Sequence, residues 1–527
     1  GLVGFADHNI VEPLFMLLAV WSLMVGLRIS NRTDLDLEVV TQPRWKELFP
    51  VLRLGALAGV AIVLYLCVWP PGVLLLGIVA IAVFIQGLAD VRVGRADLRR
   101  IVFTTSAMAT VVVFMLIRLT SPGYVARGFT LLAPLLALGI IGGGVVITVS
   151  QYLRVGRPLS SLQATVGLSF VALLGLLGLS VIAPGIYQSL TGNFLGIVGF
   201  GTGANIRTIG EAQPFIRGNA VAPIIFEYGL TFFIAAGAIV WMLAAPLLRS
   251  GEPRQLGLAV GGLALTGLIL AVPALPASIG GLIGLPGALV GFGVVSMLFV
   301  IGVSIADPPP ERILFLVWVG IITAATFTQV RFNYYLAAGV AILAALLLVK
   351  LARSSLLGLT ELSSPRDLTG YQLLTVGAVL LLVLAPVLAV PITVGGSTTQ
   401  TALDASATNG PGAVVIWDES LSWLAGETPQ PGNLGGAGNA DALPYLGTFR
   451  NTGDFAYPPG AYGVLSWWDY GHWITLLGER IPYANPFQGG ARAAANFLLA
   501  DSEEASIAAV AEQSSEGAST RYVMVDW

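Results

Sequence analysis

Long apolar runs separated by short polar turns impose the strongest constraint on this chain. Runs able to cross a bilayer, about 17–25 residues each, fall near 13–28, 53–69, 72–89, 101–118, 129–149, 165–184, 222–247, 256–273, 281–305, 312–329, 333–351 and 371–393. Only 10% of the residues are charged and 56% are hydrophobic. A soluble domain carries about 25% charged residues, so the chain reads as an integral membrane protein. Backbone polar groups in hydrocarbon must be satisfied within their own segment. Twelve runs of this length therefore predict an all-α membrane bundle of twelve spans.

Threaded alternately, the spans divide the cations unequally. The loops holding Arg28–Arg53, Arg92–Arg100, Arg154 and Arg157, Arg249 and Arg254, Arg312, and Lys350–Arg366 carry 17 of the 26 Lys and Arg residues. The opposite loops carry five: Arg118, Arg127, Arg207, Arg217 and Arg331. The positive-inside rule puts the first set in the cytoplasm. Residues 1–12, 186–221, 330–333 and those after about 394 then face outward from a cell membrane.

Two domains are expected: a polytopic membrane domain, 1–393, and the start of an external soluble domain, 394–527. Gly395–Gly412 and Gln430–Ala442 have linker composition. Between and beyond them the pattern reads as mixed α/β. It gives a short strand and helix over Ala413–Leu424, a strand at Val464–Ser466 and a helix over Tyr470–Leu477 with Asp469 at its N-terminus. A helical stretch follows at 491–512, then a buried strand at Arg521–Val525. The tail after 394 holds 14 Asp and Glu against four Lys and Arg, an acidity suited to high salt. The chain begins at Gly1 without an initiator Met and stops just past a strand-like run, so it reads as truncated at both ends. Cys67, the single cysteine, sits in an apolar run and reads as a packing residue. The Gly-rich loop 186–221 is longer than the ~12–15 residues at which an unstructured loop is usually functional or disordered.

Several polar residues stand out against this background, all on the predicted external face. Trp467-Trp468-Asp469-Tyr470-Gly471 puts two indoles beside one carboxylate. Indole area and N–H donors with an anionic acceptor suit the gripping of a hydroxyl-bearing side chain. A buried aromatic cluster is the plain alternative, and His472 beside it reads as packing. Asp7-His8-Asn9, followed by Glu12, offers oxygen and imidazole ligands to a divalent ion just before the first span. Acids at a helix N-terminus are the ordinary explanation of such a group. Glu211 lies in the long loop, as a ligand or as a solvated side chain. Arg331 is a lone cation at a helix end; its guanidinium matches phosphate oxygens, or anchors the helix at the interface. Asn31-Arg32-Thr33 is itself a glycosylation sequon, but threading puts it inside, so no glycan is expected there.

With these motifs in this order, the chain resembles the catalytic subunit of the archaeal oligosaccharyltransferases, for which a WWDYG run is a signature. The resemblance implies a GT-C glycosyltransferase fold, a membrane helix bundle plus an external mixed α/β domain. It implies transfer of an oligosaccharide from a dolichol-phosphate-type carrier to Asn in Asn-x-Ser/Thr, metal-dependent and inverting. Trp467, Trp468 and Asp469 would bind the acceptor's Ser/Thr hydroxyl. Asp526, 59 positions after Trp467, would open a second acceptor-binding motif. Asp7 would be the catalytic and metal-binding acid, and the motif's second ligand position falls on Asn9, an uncharged departure. Thr208-Ile209-Gly210-Glu211 fits the family's TIxE loop, making Glu211 catalytic and metal-binding, and Arg331 would bind the lipid phosphate.

The implied cofactor is Mn²⁺ or Mg²⁺. The implied partners are a lipid-linked oligosaccharide, an acceptor polypeptide and membrane lipid, with no nucleic acid and a single-subunit enzyme. The family's further Asp in a first external loop has no counterpart here, so the chain alone is expected to be inactive. A protein O-mannosyltransferase would need external acids but no WWDYG clamp. A secondary transporter would need ionisable groups along its spans, which are nearly absent apart from Glu227.

Overall fold

A computed structural model of the chain describes residues 11–31, 35, 44–126, 128–155, 161–198, 210–215, 221–249, 252–272, 274–353, 369–388, 393–394, 397–398, 412–443, 457–485, 489–511 and 519–525. The chain divides near residue 405 into two units.

The first unit is helical. Its helices are α1 (Val11–Ser30), α2 (Trp45–Val68), α3 (Leu74–Val93), α4 (Leu98–Ile117), α5 (Leu132–Val155), α6 (Ser161–Ile182), α7 (Pro184–Val198) and α8 (Val221–Tyr228). They continue as α9 (Thr231–Arg249), α10 (Pro253–Ala271), α11 (Ala274–Ile283), α12 (Gly287–Ala306), α13 (Pro310–Thr328), α14 (Asn333–Ala352) and α15 (Gly370–Leu388). A two-residue antiparallel ladder follows, β1 (Thr393–Val394) with β2 (Ser397–Thr398). The unit is mostly helical, as the sequence implied. Hydrophobicity does not drive helices together within lipid, so close packing must. Small residues let α2 and α4 meet: a Cβ on Gly55 would lie 2.5 Å from the Phe103 carbonyl oxygen, and one on Gly59 2.5 Å from that of Ala107. Helix α13 is the most enclosed of the spans, with Ile313, Trp318 and Ile322 in the core.

At one end of the bundle the turn between α3 and α4 is locked by charge. Gly94 takes a left-handed φ of 76° to end α3, and Asp97 caps α4 by accepting from the Arg99 backbone N–H. Asp90, 1% exposed, accepts from Gln86 at 3.0 Å and is ion-paired with Arg100 and Arg95. Arg95 also pairs with Asp307 beyond α12 at 2.6 Å. A carboxylate this deep requires such partners.

Among the described residues, nine helices are long and apolar enough to cross a membrane, or ten if one bent pair is a single span. Twelve, to within about two, were expected. The run 222–247 divides at Gly229 (φ 59°) into α8 and α9, of which α9 alone reaches spanning length. The run 256–273 does not continue straight, because α10 and α11 meet at 83° where Pro273 and Pro276 interrupt the sequence. The runs 281–305 and 371–393 supply α12 and α15, in which the apolar stretches of described residues are Gly287–Val303 and Gly370–Leu381. The loop 186–221 is also more ordered than its glycines suggested, since α7 occupies 184–198 with Pro184 at its first position.

The second unit contains α16 (Gly412–Glu427), α17 (Gly471–Leu476), α18 (Ala491–Leu498) and α19 (Glu503–Ala511). Strands β3 (Tyr462–Leu465), β4 (Ile481–Pro482) and β5 (Ser519–Val523) form a parallel sheet of order β4-β3-β5. The strand expected in Ala413–Leu424 is helix throughout: Trp417, Leu421 and Leu424, spaced by four and three, are its buried stripe. The helical stretch 491–512 is broken between α18 and α19. Central strand β3 is buried at every position, as a parallel strand covered on both faces must be.

Arg480 fastens α16 to this sheet. Only 3% exposed, it donates through Nε to Thr428 Oγ1 and the Tyr462 hydroxyl, and through Nη2 to the carbonyls of Ala425 (3.0 Å) and Thr428 (2.6 Å). Among the described residues it has no carboxylate partner. The negative end of the α16 dipole and its orphan carbonyls take that place. Replacing Arg480 with Met keeps the volume but leaves several buried acceptors unpaired. The expected cost is roughly 3 kcal/mol or more of this unit's stability. Urea unfolding followed by tryptophan fluorescence checks it; a loss under ~1 kcal/mol contradicts this account.

Candidate functional site

In the helical unit, the end opposite the Asp90 cluster gathers the predicted polar residues. Helix α13 stops at Thr328 because Gln329 is extended (φ −145°), and a single 3₁₀ turn, Val330–Phe332, leads into α14. This break frees backbone donors that must find partners. The Val330 N–H donates to the Gln213 carbonyl at 2.8 Å, and Gln329 Nε2 to the Gly196 carbonyl at 2.7 Å. The first of these bonds joins the Arg331 turn to the turn Gly210–Ala212 that carries Glu211. Phe215, stacked on Phe327 at 6.2 Å, steadies the same junction.

Arg331 is half-buried, with its guanidinium carbon 5.6 Å from the centroid of the Phe332 ring. Its Nε is buried and has no hydrogen-bond partner among the described residues. A guanidinium left in that condition suits an anion. Glu211 is exposed, enters no ion pair among the described residues, and lies within electrostatic reach of the Tyr334 hydroxyl. Glu12, on the first turn of α1, is 1% exposed and accepts from the hydroxyls of Tyr334 (2.9 Å) and Tyr335 (2.7 Å). The sequence marked Glu12 only as a neighbour of Asp7. Nothing in the spacing of the adjacent tyrosines at 334 and 335 announced a shared carboxylate.

In the second unit, the WWDYG run begins two residues after β3. Ser466 fixes the exit of that strand: its Oγ donates to the Met524 carbonyl at 2.7 Å, and the Met524 N–H donates to Leu465 at 2.9 Å. The five residues then divide their work. Tyr470 packs into the core against Trp417 (4.6 Å) and Trp473 (5.3 Å). Trp467 and Trp468 stay half-buried, their rings 5.9 Å apart and tilted by 52°. The Trp467 Nε1–H donates to Asp469 Oδ2 at 3.0 Å. That indole donor was expected to be open to a ligand; instead it aims the carboxylate. Asp469 remains exposed, with one oxygen committed to the indole. Partial desolvation raises its pKa above the ordinary aspartate value, against the opposing effect of the Trp467 hydrogen bond.

Of the predicted site residues, Glu211 and Arg331 come together in the first unit. Trp467, Trp468 and Asp469 form a second group in the other. Asp7, His8, Asn9 and Asp526 lie outside the described residues. Among the described residues no three His, Cys, Asp or Glu side chains cluster as a metal site.

A bundle of long apolar helices in one unit and a small parallel sheet carrying the aromatic–carboxylate motif in the other define a multi-pass helical protein with an appended mixed α/β unit. Residues 414–527 match the family described as AglB core domain. Over its whole length the chain is 44% identical to the dolichyl-monophosphooligosaccharide–protein glycotransferase AglB of Haloferax volcanii, covering 51% of that protein. The chain is thus similar to AglB along its whole length and spans about half the length of this curated relative. The fold is also that of a solved structure, archaeal oligosaccharyltransferase AglB from Archaeoglobus fulgidus in complex with an inhibitory peptide and a dolichol-phosphate. That match has TM-score 0.67 and 21% identity, covering 99% of this chain and 52% of that one. A crystal structure of the Archaeoglobus fulgidus oligosaccharyltransferase in complex with Zn and sulfate matches with TM-score 0.58 and 19% identity, over 99% of this chain and 50% of that one.

The raised pKa of Asp469 has a consequence for stability. Between the ordinary and the raised value the folded state binds more protons than the unfolded one, so stability falls as pH rises through that interval. Above it the penalty is constant. Asp469→Asn keeps an acceptor for Trp467 and removes the charge. The variant is expected to melt above wild type at pH 7, the difference vanishing below about pH 4, where wild type is itself neutral. Thermal melts at the two pH values check this. A variant that melts lower at pH 7 contradicts it.

Proposed function

We propose that this protein transfers an oligosaccharide from a dolichol-phosphate-type lipid to the Asn side chain of Asn-x-Ser/Thr sequons. The reaction runs on the external face of the cell membrane, inverts the sugar carbon and requires Mn²⁺ or Mg²⁺. The partners are the lipid-linked donor and the acceptor polypeptide, and a single subunit acts. The observation that carries this reading is a hydrogen-bonded pair of turns: an exposed carboxylate, Glu211, is joined through Gln213 and Val330 to a guanidinium with an unpaired buried Nε, Arg331. Carboxylate for a cation beside guanidinium for an anion is what a metal–phosphate leaving group needs. Whole-chain identity of 44% to a glycotransferase supports the same assignment.

Asp7, Asn9 and Glu211 would hold the metal. Their all-oxygen donors suit a hard divalent ion, and Glu211 has its charge uncommitted among the described residues. The ion supplies positive charge that offsets the charge developing on the departing phosphate. Arg331 binds that phosphate through its guanidinium. An amide nitrogen is a poor nucleophile because its lone pair is delocalised into the carbonyl. Asp7 and Glu211 accept hydrogen bonds from the amide N–H groups and make that lone pair more available. Trp467, Trp468 and Asp469 hold the Ser/Thr hydroxyl two residues beyond the Asn, which positions the amide without bond-making. Asp526 contributes to the same peptide contact. Attack from the face opposite the phosphate inverts the sugar carbon.

The test uses the full-length protein as expressed in its source cells, with extracted lipid-linked glycan, Mn²⁺ and a fluorescent Asn-x-Thr peptide. Asp7→Ala is expected to abolish transfer. Arg331→Lys, which loses the bidentate fork, should raise the donor KM about tenfold. Asp469→Ala should raise the peptide KM while kcat changes little. Wild type that leaves Asn peptides unmodified in the presence of donor and metal overturns the assignment.

A further inference from the structure

Tyr228 closes α8 and is 8% exposed, immediately before Gly229, whose φ of 59° turns the chain into α9. Its ring lies among phenylalanines, 5.9 Å from Phe215 and 5.7 Å from Phe232. A phenylalanine would fill that place. A phenol brought into such surroundings needs a partner for its hydroxyl. The Tyr228 hydroxyl donates to the side-chain oxygen of Asn333, and the Asn333 backbone carbonyl oxygen lies 3.2 Å from it. Asn333 is the first residue of α14 and stands two positions after Arg331.

The Arg331 turn is therefore held at three places. Before it, the Val330 N–H donates to the Gln213 carbonyl. Within it, the fully buried Thr326 donates through Oγ1 to the Phe332 carbonyl at 3.1 Å. After it, Tyr228 holds Asn333. The first two bonds satisfy backbone groups that a broken helix leaves open. The third joins two side chains 105 positions apart, and closing the backbone does not require it. It bears on a turn whose guanidinium carbon lies 5.6 Å from the Phe332 ring centroid. The Arg331 Nε is buried without a hydrogen-bond partner among the described residues. A guanidinium with a donor kept open must be aimed, because its planar fork matches phosphate oxygens only in particular orientations. The Tyr228 ring also touches the other turn, through Phe215, four residues after Glu211.

We propose that Tyr228 is a positioning residue for phosphate recognition: its hydroxyl, through Asn333, fixes the turn that carries Arg331, so that the open guanidinium donor faces the phosphate of the lipid-linked sugar. The role rests on the function proposed above. It concerns the binding of the donor and leaves the acceptor untouched. Ordering the turn beforehand favours binding because less freedom is lost when the phosphate arrives.

The experiment uses the full-length protein with four variants: Tyr228→Phe, Asn333→Ala, Arg331→Lys, and Tyr228→Phe combined with Arg331→Lys. Three sets of quantities are read. The first is kcat with the separate KM values for donor lipid and acceptor peptide. The second is the calorimetric Kd for geranyl phosphate, a short soluble lipid phosphate, and for geraniol, the same chain without phosphate. The third is the melting temperature. Tyr228→Phe keeps the ring and removes the hydroxyl. It and Asn333→Ala should each raise the donor KM and the geranyl phosphate Kd by about fivefold, as loss of one hydrogen bond implies. The peptide KM, kcat and the geraniol Kd should stay within about twofold of wild type. Combined with Arg331→Lys, the loss of the hydroxyl should add less than about twofold, as expected of residues acting through one group.

A lower melting temperature with unchanged donor KM and geranyl phosphate Kd makes Tyr228 a plain staple of the α8–α9 bend and overturns the proposal. A full further loss on the Arg331→Lys background places its action elsewhere, and equal weakening of geraniol makes it a matter of chain packing; either outcome also overturns it. If Tyr228→Phe does not fold, Asn333→Ala decides. If wild type transfers no sugar, the function assignment fails, and the geranyl phosphate titration alone decides the positioning role. Binding of geranyl phosphate that is indifferent to Arg331→Lys leaves Tyr228 nothing to position and overturns the proposal.

Discussion

Hydrocarbon offers no hydrogen bonds, so every backbone N–H and C=O within the membrane must be satisfied by the protein itself. The architecture of the helical unit follows from this. Continuous helices meet the requirement cheaply, and any interruption must be compensated. At the interruption Gln329–Phe332 the Val330 N–H donates to the Gln213 carbonyl, which approaches from another part of the chain, while the Gln329 side chain donates to the Gly196 carbonyl. A broken helix therefore recruits a second segment to its side. In this protein the recruited segment carries Glu211, so the backbone demand that closes the break also brings the acid to the base.

The same economy governs the buried charges, each handled by different means. Asp90 is neutralised by two arginines and a glutamine at one end of the bundle. Glu12, at the other end, accepts hydrogen bonds from two tyrosine hydroxyls. Arg480 rests on the carbonyl end of a helix. Ion pairs at Asp90 tie turns rigidly together. The tyrosine donors at Glu12 join the first turn of α1 to that of α14. Asp469 is the intermediate case, exposed enough to meet a ligand and desolvated enough to hold its proton more tightly than usual.

Within the WWDYG run, chemistry and packing are separated residue by residue. Tyr470 belongs to the core, and Trp467 orients the carboxylate. Asp469 presents its remaining oxygen outward. The sheet supplies rigidity, since β3 is buried along its length and Ser466 is bonded across to Met524. A carboxylate carried at the end of a central strand is held more firmly than one on a free loop, which suits the acceptor-positioning role proposed for it.

Much of this was legible in the sequence because it depends on local period and composition. Long apolar runs marked a helical membrane unit, and the short runs at Val464–Ser466 and Arg521–Val525 marked two strands that the structure places at Tyr462–Leu465 and Ser519–Val523. The chemistry of the site residues was visible in Trp467–Asp469, Glu211 and Arg331 as residue types. Where the sequence misled, the cause was non-local. The run 256–273 is apolar enough to span, yet the helix bends at 83° where prolines interrupt it. Ala413–Leu424 has strand-like residues at its start, but the burial of Trp417, Leu421 and Leu424 on one stripe selects helix. Only tertiary structure could decide that Tyr334 and Tyr335 share the Glu12 carboxylate across more than three hundred residues of chain, that Val330 bonds to Gln213, or that the Trp467 indole spends its donor on Asp469. A sequence states which groups are able to bond. Which of them meet is set by the packing of segments far apart in the chain.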